Sequence, residues 1–174
     1  MKKVFSIVLS LLMISILLIG CGSEKEETNE VKLVTKTVNK VSISVPSDYS
    51  EFKDTDGFMA ASGPNASITI SPVVEAVDPS MWTEESLREL YADKYSEIVF
   101  KNIIRDVKVE GGSAIYVIFT STAKEGGTKF DTRLVLLYTE ENTMYSNYVA
   151  FKDGADCSTA KFADEIMKSM KIVK

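Results

Sequence analysis

Ser158 and Lys161 stand three residues apart in the segment STAK, at the start of a stretch with helical periodicity. On a helix that spacing puts a hydroxyl and an amine on one face, where the amine can take the proton of the hydroxyl and leave a nucleophile. Cys157 precedes them at the same helix start, where the positive end of the helix dipole lowers a thiol pKa, although Asp153 and Asp156 oppose that effect. Asp54-Thr55-Asp56-Gly57 sets two carboxylates on a tight turn, part of what an oxygen-coordinated calcium ion requires. Trp82 and Tyr145 are the candidate contact residues, provided both face one concave side. Asn65-Ala66-Ser67 matches a glycosylation acceptor.

Each of these has a plainer reading. S-x-x-K is the nucleophile motif of penicillin-recognising enzymes, but its S-D-N and K-T-G companions are missing from the sequence. A helix start with a solvated lysine accounts for the same residues. A calcium loop of the helix–loop–helix type needs an oxygen ligand two residues before Asp54 and a glutamate at its twelfth position, and those positions hold Phe52 and Gly63. Asp and Gly are natural turn residues, so DTDGF reads as a hairpin turn. Cys157 reads as a small half-buried residue, Asn65 as a turn asparagine, and Trp82 equally as a core plug beside a helix start. The sequence contains no histidine. That excludes Ser-His-Asp and Cys-His catalysis, imidazole metal sites and the usual switch near neutral pH. No enzyme activity, metal or cofactor is expected.

The N-terminus carries a different chemistry. Lys2 and Lys3 lead an apolar run from Val4 to Ile19 that is broken only by Ser6, Ser10 and Ser15. A positive lead, an apolar core and the small Gly20 have the layout of a secretory signal peptide. The run is at or below the roughly 17 residues a membrane-spanning helix needs. Leu18-Ile19-Gly20-Cys21 resembles the lipobox of bacterial lipoproteins. The resemblance implies a diacylglyceryl group on the Cys21 sulfur and cleavage between Gly20 and Cys21, with 1–20 as signal peptide and 21–30 as a flexible acidic tether. With Cys21 acylated, Cys157 has no partner for an intrachain disulfide or a thiolate zinc site. Two or three acyl chains hold a protein stably, where one holds it marginally.

Residues 31–174 are of a size for one domain. Without residues 1–20 the basic residues fall from 20 to 18 against 25 acids, leaving a charge of −7. That balance opposes nucleic-acid binding and adsorption to an anionic membrane. Among the 20 basic residues only Arg88, Arg105 and Arg133 are arginines, a bias that points to an AT-rich, low-GC Gram-positive genome. The domain would then sit on the outer face of the plasma membrane, whereas in a diderm cell Gly22 would direct it to the outer membrane.

The elements that position these residues follow from periodicity. Val41, Ile43 and Val45 alternate with serines, as do Ala66, Ile68 and Ile70 with polar residues, so both are one-faced strands. After Asp78-Pro79, Thr83 is the expected N-cap of an amphipathic helix with Glu84 and Glu85 in its first turn, and Leu87, Leu90, Tyr91, Lys94 and Ile98, with the nearby Tyr95, fall at helical spacing. From Val99 the turn signals EGG, KEGG and EENT divide four strands of an antiparallel meander. AIYVIF and RLVLLY are apolar on both faces, which suits central strands covered on both sides. A second amphipathic helix, capped by Asp156 or Ser158, buries Phe162, Ala163, Ile166, Met167 and Met170. The fold class is α+β, a mainly antiparallel sheet packed by two amphipathic helices.

This layout is similar to the PsbP-like, or Mog-type, α/β/α sandwich over residues 38–174. The resemblance is carried by Pro46 after a strand, Gly112 before an aliphatic strand and Ser169 near the end of the last helix. It implies a binding or assembly role rather than catalysis and transfers no functional residue. The expectation is therefore a lipid-anchored extracytoplasmic domain that meets an envelope protein or a small ligand. The alternatives are an envelope hydrolase using Ser158 and Lys161, or a purely structural envelope component.

Overall fold

The computed structural model describes residues 30–173. Strands β1 (Leu33–Val38) and β2 (Val41–Pro46) form a hairpin, and β11 (Lys171–Ile172) pairs with the other edge of β2 in a three-stranded antiparallel sheet. The other strands are β3 (Lys53–Thr55), β4 (Phe58–Gly63), β5 (Ala66–Ile70), β6 (Val74–Glu75), β7 (Tyr95–Val109), β8 (Gly112–Ala123), β9 (Lys129–Thr139) and β10 (Thr143–Lys152). They make an eight-stranded sheet in spatial order β3-β4-β5-β10-β9-β8-β7, with β6 continuing the path of β5 along β10. Helix α1 (Glu84–Tyr91) precedes β7, and α2 (Ser158–Ser169) follows β10. The architecture is the expected one: α+β, with a large antiparallel sheet and two helices.

The two-sided apolar strands lie at the centre of the large sheet. Ile115, Val117 and Phe119 of β8, with Leu134 and Leu136 of β9, bury against Leu87, Leu90 and Tyr91 of α1. Their neighbours Ala114, Tyr116, Val135 and Leu137 face the other way, onto Ile43 of β2 and Ile166 and Met167 of α2. A strand covered on both faces has no use for polar alternation, which is why these runs read as continuously apolar.

Local chemistry fixes the element ends. Thr83 caps α1: its hydroxyl accepts from the Ser86 amide at 3.2 Å, and the Ser86 hydroxyl accepts from the Thr83 amide at 3.0 Å. The helix is shorter than the spacing predicts. It stops at Tyr91, and Tyr95 and Ile98 belong to β7, which begins before Val99. Ile98 is buried in the same core as Leu87 and Tyr91, so a strand passing beneath the helix mimics the helical period. At α2 the cap position is Cys157, without a side-chain hydrogen bond, so neither Asp156 nor Ser158 is the N-cap. Strands β1 and β11 were not expected. The first has a mixed burial pattern with one buried position, Val38, and the second is two residues long.

Two of the residues that carried the family resemblance have clear structural work. Ser169 Oγ accepts from the Ser44 amide at 2.8 Å and donates to the Ile166 carbonyl at 2.7 Å, fastening the end of α2 to β2. At Gly112 a Cβ would overlap the Tyr138 carbonyl oxygen, so only glycine fits there.

Candidate functional site

The chain enters the sandwich at Leu33, and the six residues of β1 carry it about 20 Å to the Asn39–Lys40 turn. The near end, around the entry point, is closed. Ser47 N–H donates to the Lys32 carbonyl at 2.8 Å. Tyr49 packs its ring over Gly63 and shares a 2.6 Å hydrogen bond with Thr159. Burial holds the Tyr49 phenol well above its ordinary pKa. Beside it, Ser158 Oγ donates to Asp48 Oδ1 at 2.9 Å.

The far end is built differently. The Asn39–Lys40, Glu110–Gly111 and Glu140–Asn142 turns meet there, together with Val73 and the C-terminal Ile172–Val173. Val173 N–H donates to the Lys40 carbonyl at 2.8 Å and Ile172 N–H to the Glu110 carbonyl at 2.9 Å, so the small sheet is stitched to the β7–β8 turn. Between the sheets these segments leave a groove of about 260 Å³. Its floor is apolar, from Ile172 and the Tyr145 ring, and Val73, 51% exposed, forms an apolar rim. Lys40 stands on the small-sheet wall, and Glu140 and Glu141 stand on the large-sheet wall. The acidic turn is braced from within: Thr139 Oγ1 accepts from the Glu141 amide at 3.1 Å and bonds Thr143 Oγ1 at 2.8 Å. Burial, aided by the negative charge of Glu141, raises the Tyr145 pKa.

The structure brings few of the sequence candidates together. Trp82 and Tyr145 are each 4% exposed and lie on opposite faces of the large sheet. Trp82 Nε1 donates to Tyr138 Oη at 2.6 Å, and Tyr138 Oη donates to the Val77 carbonyl at 3.0 Å. Burial pushes the Tyr138 phenol up to about 12. Trp82 is thus a plug beneath α1, the two residues share no surface, and of the pair only Tyr145 lines the groove. Alternation settles the point: Met144 and Tyr148 of β10 face α1, so Tyr145 between them faces away.

Ser158 and Lys161 do not form a nucleophile and base. The serine is held by Asp48, while Lys161, 66% exposed in its side chain, pairs with Asp156 at 3.3 Å. Cys157 is buried and free. DTDGF is a hairpin turn: Asp56 and Gly57 have φ of 53° and 85°, and Gly57 N–H donates to Asp54 Oδ1 at 3.1 Å. Among the described residues no group of three or more His, Cys, Asp or Glu side chains could hold a metal ion, and no helix is long and apolar enough to cross a membrane. Gly20, Cys21 and the signal-peptide and tether segments lie outside the described residues.

Sequence reasoning missed the groove walls at Lys40, Val73, Glu140 and Glu141, and the clamp of Asp48 and Tyr49. It also missed an ion-pair chain on the α2 face. Arg133, inside the sheet, joins Asp131 to Asp164 of α2, and Lys101 reaches Asp131 at 2.8 Å from the edge strand. No spacing in the sequence signals a bridge between residues thirty positions apart.

No family model and no curated protein matches the chain. Solved structures do. The chain is similar to the Ran-binding protein Mog1p of Saccharomyces cerevisiae, with a TM-score of 0.58 and 10% identity over 83% of this chain and 97% of that one. A point mutant of the protein Mog1 gives a TM-score of 0.55 and 12% identity over 84% and 97% of the two chains. LpqN, involved in cell envelope biogenesis of Mycobacterium tuberculosis, matches with a TM-score of 0.47 and 12% identity over 84% and 93%. The fold is that of the Mog1 and PsbP-like sandwich, and at these identities the likeness concerns the fold alone.

Proposed function

We propose that the chain is a lipid-anchored, extracytoplasmic binding domain without catalytic activity, held on the outer face of the plasma membrane through Cys21. The observation that carries the binding reading is the groove at the far end, set across the sandwich from the point where the chain enters. The groove lies at the end of the sandwich opposite Leu33, where the tether joins, so an anchored domain can present it to an envelope protein or a small ligand. The Leu18–Cys21 segment supports the anchor, because the lipidation chemistry needs a thiol flanked by small residues. The hydrolase alternative loses support, because Ser158 and Lys161 are each engaged by an aspartate instead of by one another.

The anchor is tested by metabolic labelling with an alkyne fatty acid in an export-competent bacterial host. The parent is expected to incorporate the label and stay with the membrane, and Cys21→Ser to lose the label and the Gly20–Cys21 cleavage. Equal, unlabelled release of both chains refutes the anchor. Serine-directed probes on the intact protein address catalysis, and a stoichiometric, saturable label on Ser158 refutes the non-catalytic reading.

A further inference from the structure

The far-end groove has a charge layout and a size that narrow its ligand. Its two walls come from different sheets and carry opposite signs, Lys40 on one and Glu140 with Glu141 on the other. Between them lies an apolar floor. Tyr145 is 4% exposed, and its hydroxyl, in a residue that lines the groove, makes no hydrogen bond to any described residue. The Tyr145 ring is buried while its hydroxyl reaches solvent at the groove, where a polar group of a ligand can meet it. The volume of about 260 Å³ falls below the roughly 300–1,000 Å³ of ordinary small-molecule sites, so no large cofactor fits.

Lys40 adds an independent sign. Asn39 and Lys40 turn the β1–β2 hairpin with φ of 49° and 63°. The second such position is ordinarily glycine, and a side chain there costs about 1 kcal/mol. The chain keeps a lysine at this strained place, directly on the groove wall. The wall opposite is held by the Thr139 hydroxyl, so both charges are presented by fixed turns.

We infer that the far-end groove binds a small apolar zwitterion, an apolar amino acid or dipeptide with free termini. Its carboxylate meets Lys40, its ammonium meets Glu140 and Glu141, and its side chains cover Val73 and Ile172. This deepens the binding reading above and does not depend on the anchor. A Cys21→Ser chain that is released yet still binds leaves the inference intact, and an anchored chain that ignores the ligand overturns it alone.

The test uses the full-length protein in lipid nanodiscs, titrated with L-leucyl-L-leucine and followed by calorimetry and amide NMR. Saturable binding is expected, with shifts confined to the amides of Gly111, residues 139–143 and Val173. N-acetylation or C-terminal amidation of the dipeptide is each expected to weaken binding about tenfold or more. Lys40→Gly, which relaxes the turn while removing the charge, should weaken the free dipeptide by a similar factor and leave it no better than the amide. Glu140→Gln with Glu141→Gln should abolish the penalty for acetylation. The inference fails if no groove amide shifts at about 10 mM dipeptide, a level that would reveal even millimolar affinity. It also fails if the doubly capped dipeptide binds as tightly as the free one.

Discussion

The two ends of this sandwich solve the same packing problem in opposite ways. At the near end a loop side chain does the closing: the Tyr49 ring covers Gly63, and its hydroxyl and the Asp48 carboxylate take up Thr159 and Ser158 at the start of α2. At the far end the backbone does it: Val173 and Ile172 donate directly to the carbonyls of Lys40 and Glu110, and Gly111 and Gly112 let strands approach without side chains between them. Closure by a side chain fills the space between the layers. Closure by backbone fixes the turns and leaves the groove of about 260 Å³ between them. The openness of the far end is therefore a product of rigidity, and the two ends should respond differently to the same perturbation.

Glycine replacement gives the largest contrast. A Cβ on Gly112 would overlap the Tyr138 carbonyl oxygen in the central β8–β9 ladder, where nothing can rotate away. Gly112→Ala is expected to cost about 3 kcal/mol or more, or to prevent folding. A Cβ on Gly63 would overlap the Tyr49 ring, whose rotation out of the way gives up the Thr159 hydrogen bond. Gly63→Ala is expected to cost only about 1–2 kcal/mol, since the obstacle is a side chain. Urea denaturation of the two variants decides the matter, and equal losses erase the distinction between the ends.

Tyrosine titration sharpens the comparison at intermediate size. Tyr49 and Tyr145 both have pKa values raised by burial, Tyr49 by far the more. A raised folded pKa means that the native state favours the neutral phenol. The associated stability is complete below the ordinary value of about 10 and is lost as pH climbs through the folded value. Tyr145 is accordingly expected to ionise first as pH rises above 10, opening the groove, while the near end holds to higher pH. Tyrosinate absorbance of Tyr145→Phe should lack the earlier step, and that of Tyr49→Phe a later one; the reverse order contradicts the account. At neutral pH Tyr49→Phe should also lose about 1 kcal/mol, leaving the buried Thr159 hydroxyl without its partner.

What the sequence disclosed follows the range of the forces involved. The four-strand meander, the two helices and the Thr83 cap were legible because alternation, helical spacing and capping act between residues close in sequence. The end of α1 was misread because burial has no memory of its source: Ile98 is buried by a strand in the core that Leu87 reaches from a helix. Trp82 and Tyr145 looked equivalent because aromatic character carries no facing. Only the register of β10, with Met144 and Tyr148 turned toward α1, assigns Tyr145 to the other side. The groove was invisible for a stronger reason. Its walls come from residues 40, 73, 140, 141 and 172, and nothing but the pairing of β11 with β2 and the turn contacts brings them together.

The smallest expected effect bears on the near end and on the one constellation that suggested catalysis. If Ser158 and Lys161 formed a working pair, removing the amine would change the reactivity of the hydroxyl. In the structure Lys161 lies largely in solvent against Asp156, and an exposed ion pair of this kind contributes about 0.2–1 kcal/mol at most. The hydroxyl of Ser158 is already donating to Asp48, a carboxylate that fixes its orientation toward the loop. Lys161→Ala is therefore expected to shift thermal stability by less than about 0.5 kcal/mol and to leave labelling of Ser158 by a fluorophosphonate probe at background, as in the parent. Asp48→Ala should cost more, since it strands the Ser158 hydroxyl beside the clamp that closes this end. A Lys161→Ala variant less stable than Asp48→Ala would mean that the lysine, and not the loop carboxylate, holds the start of α2.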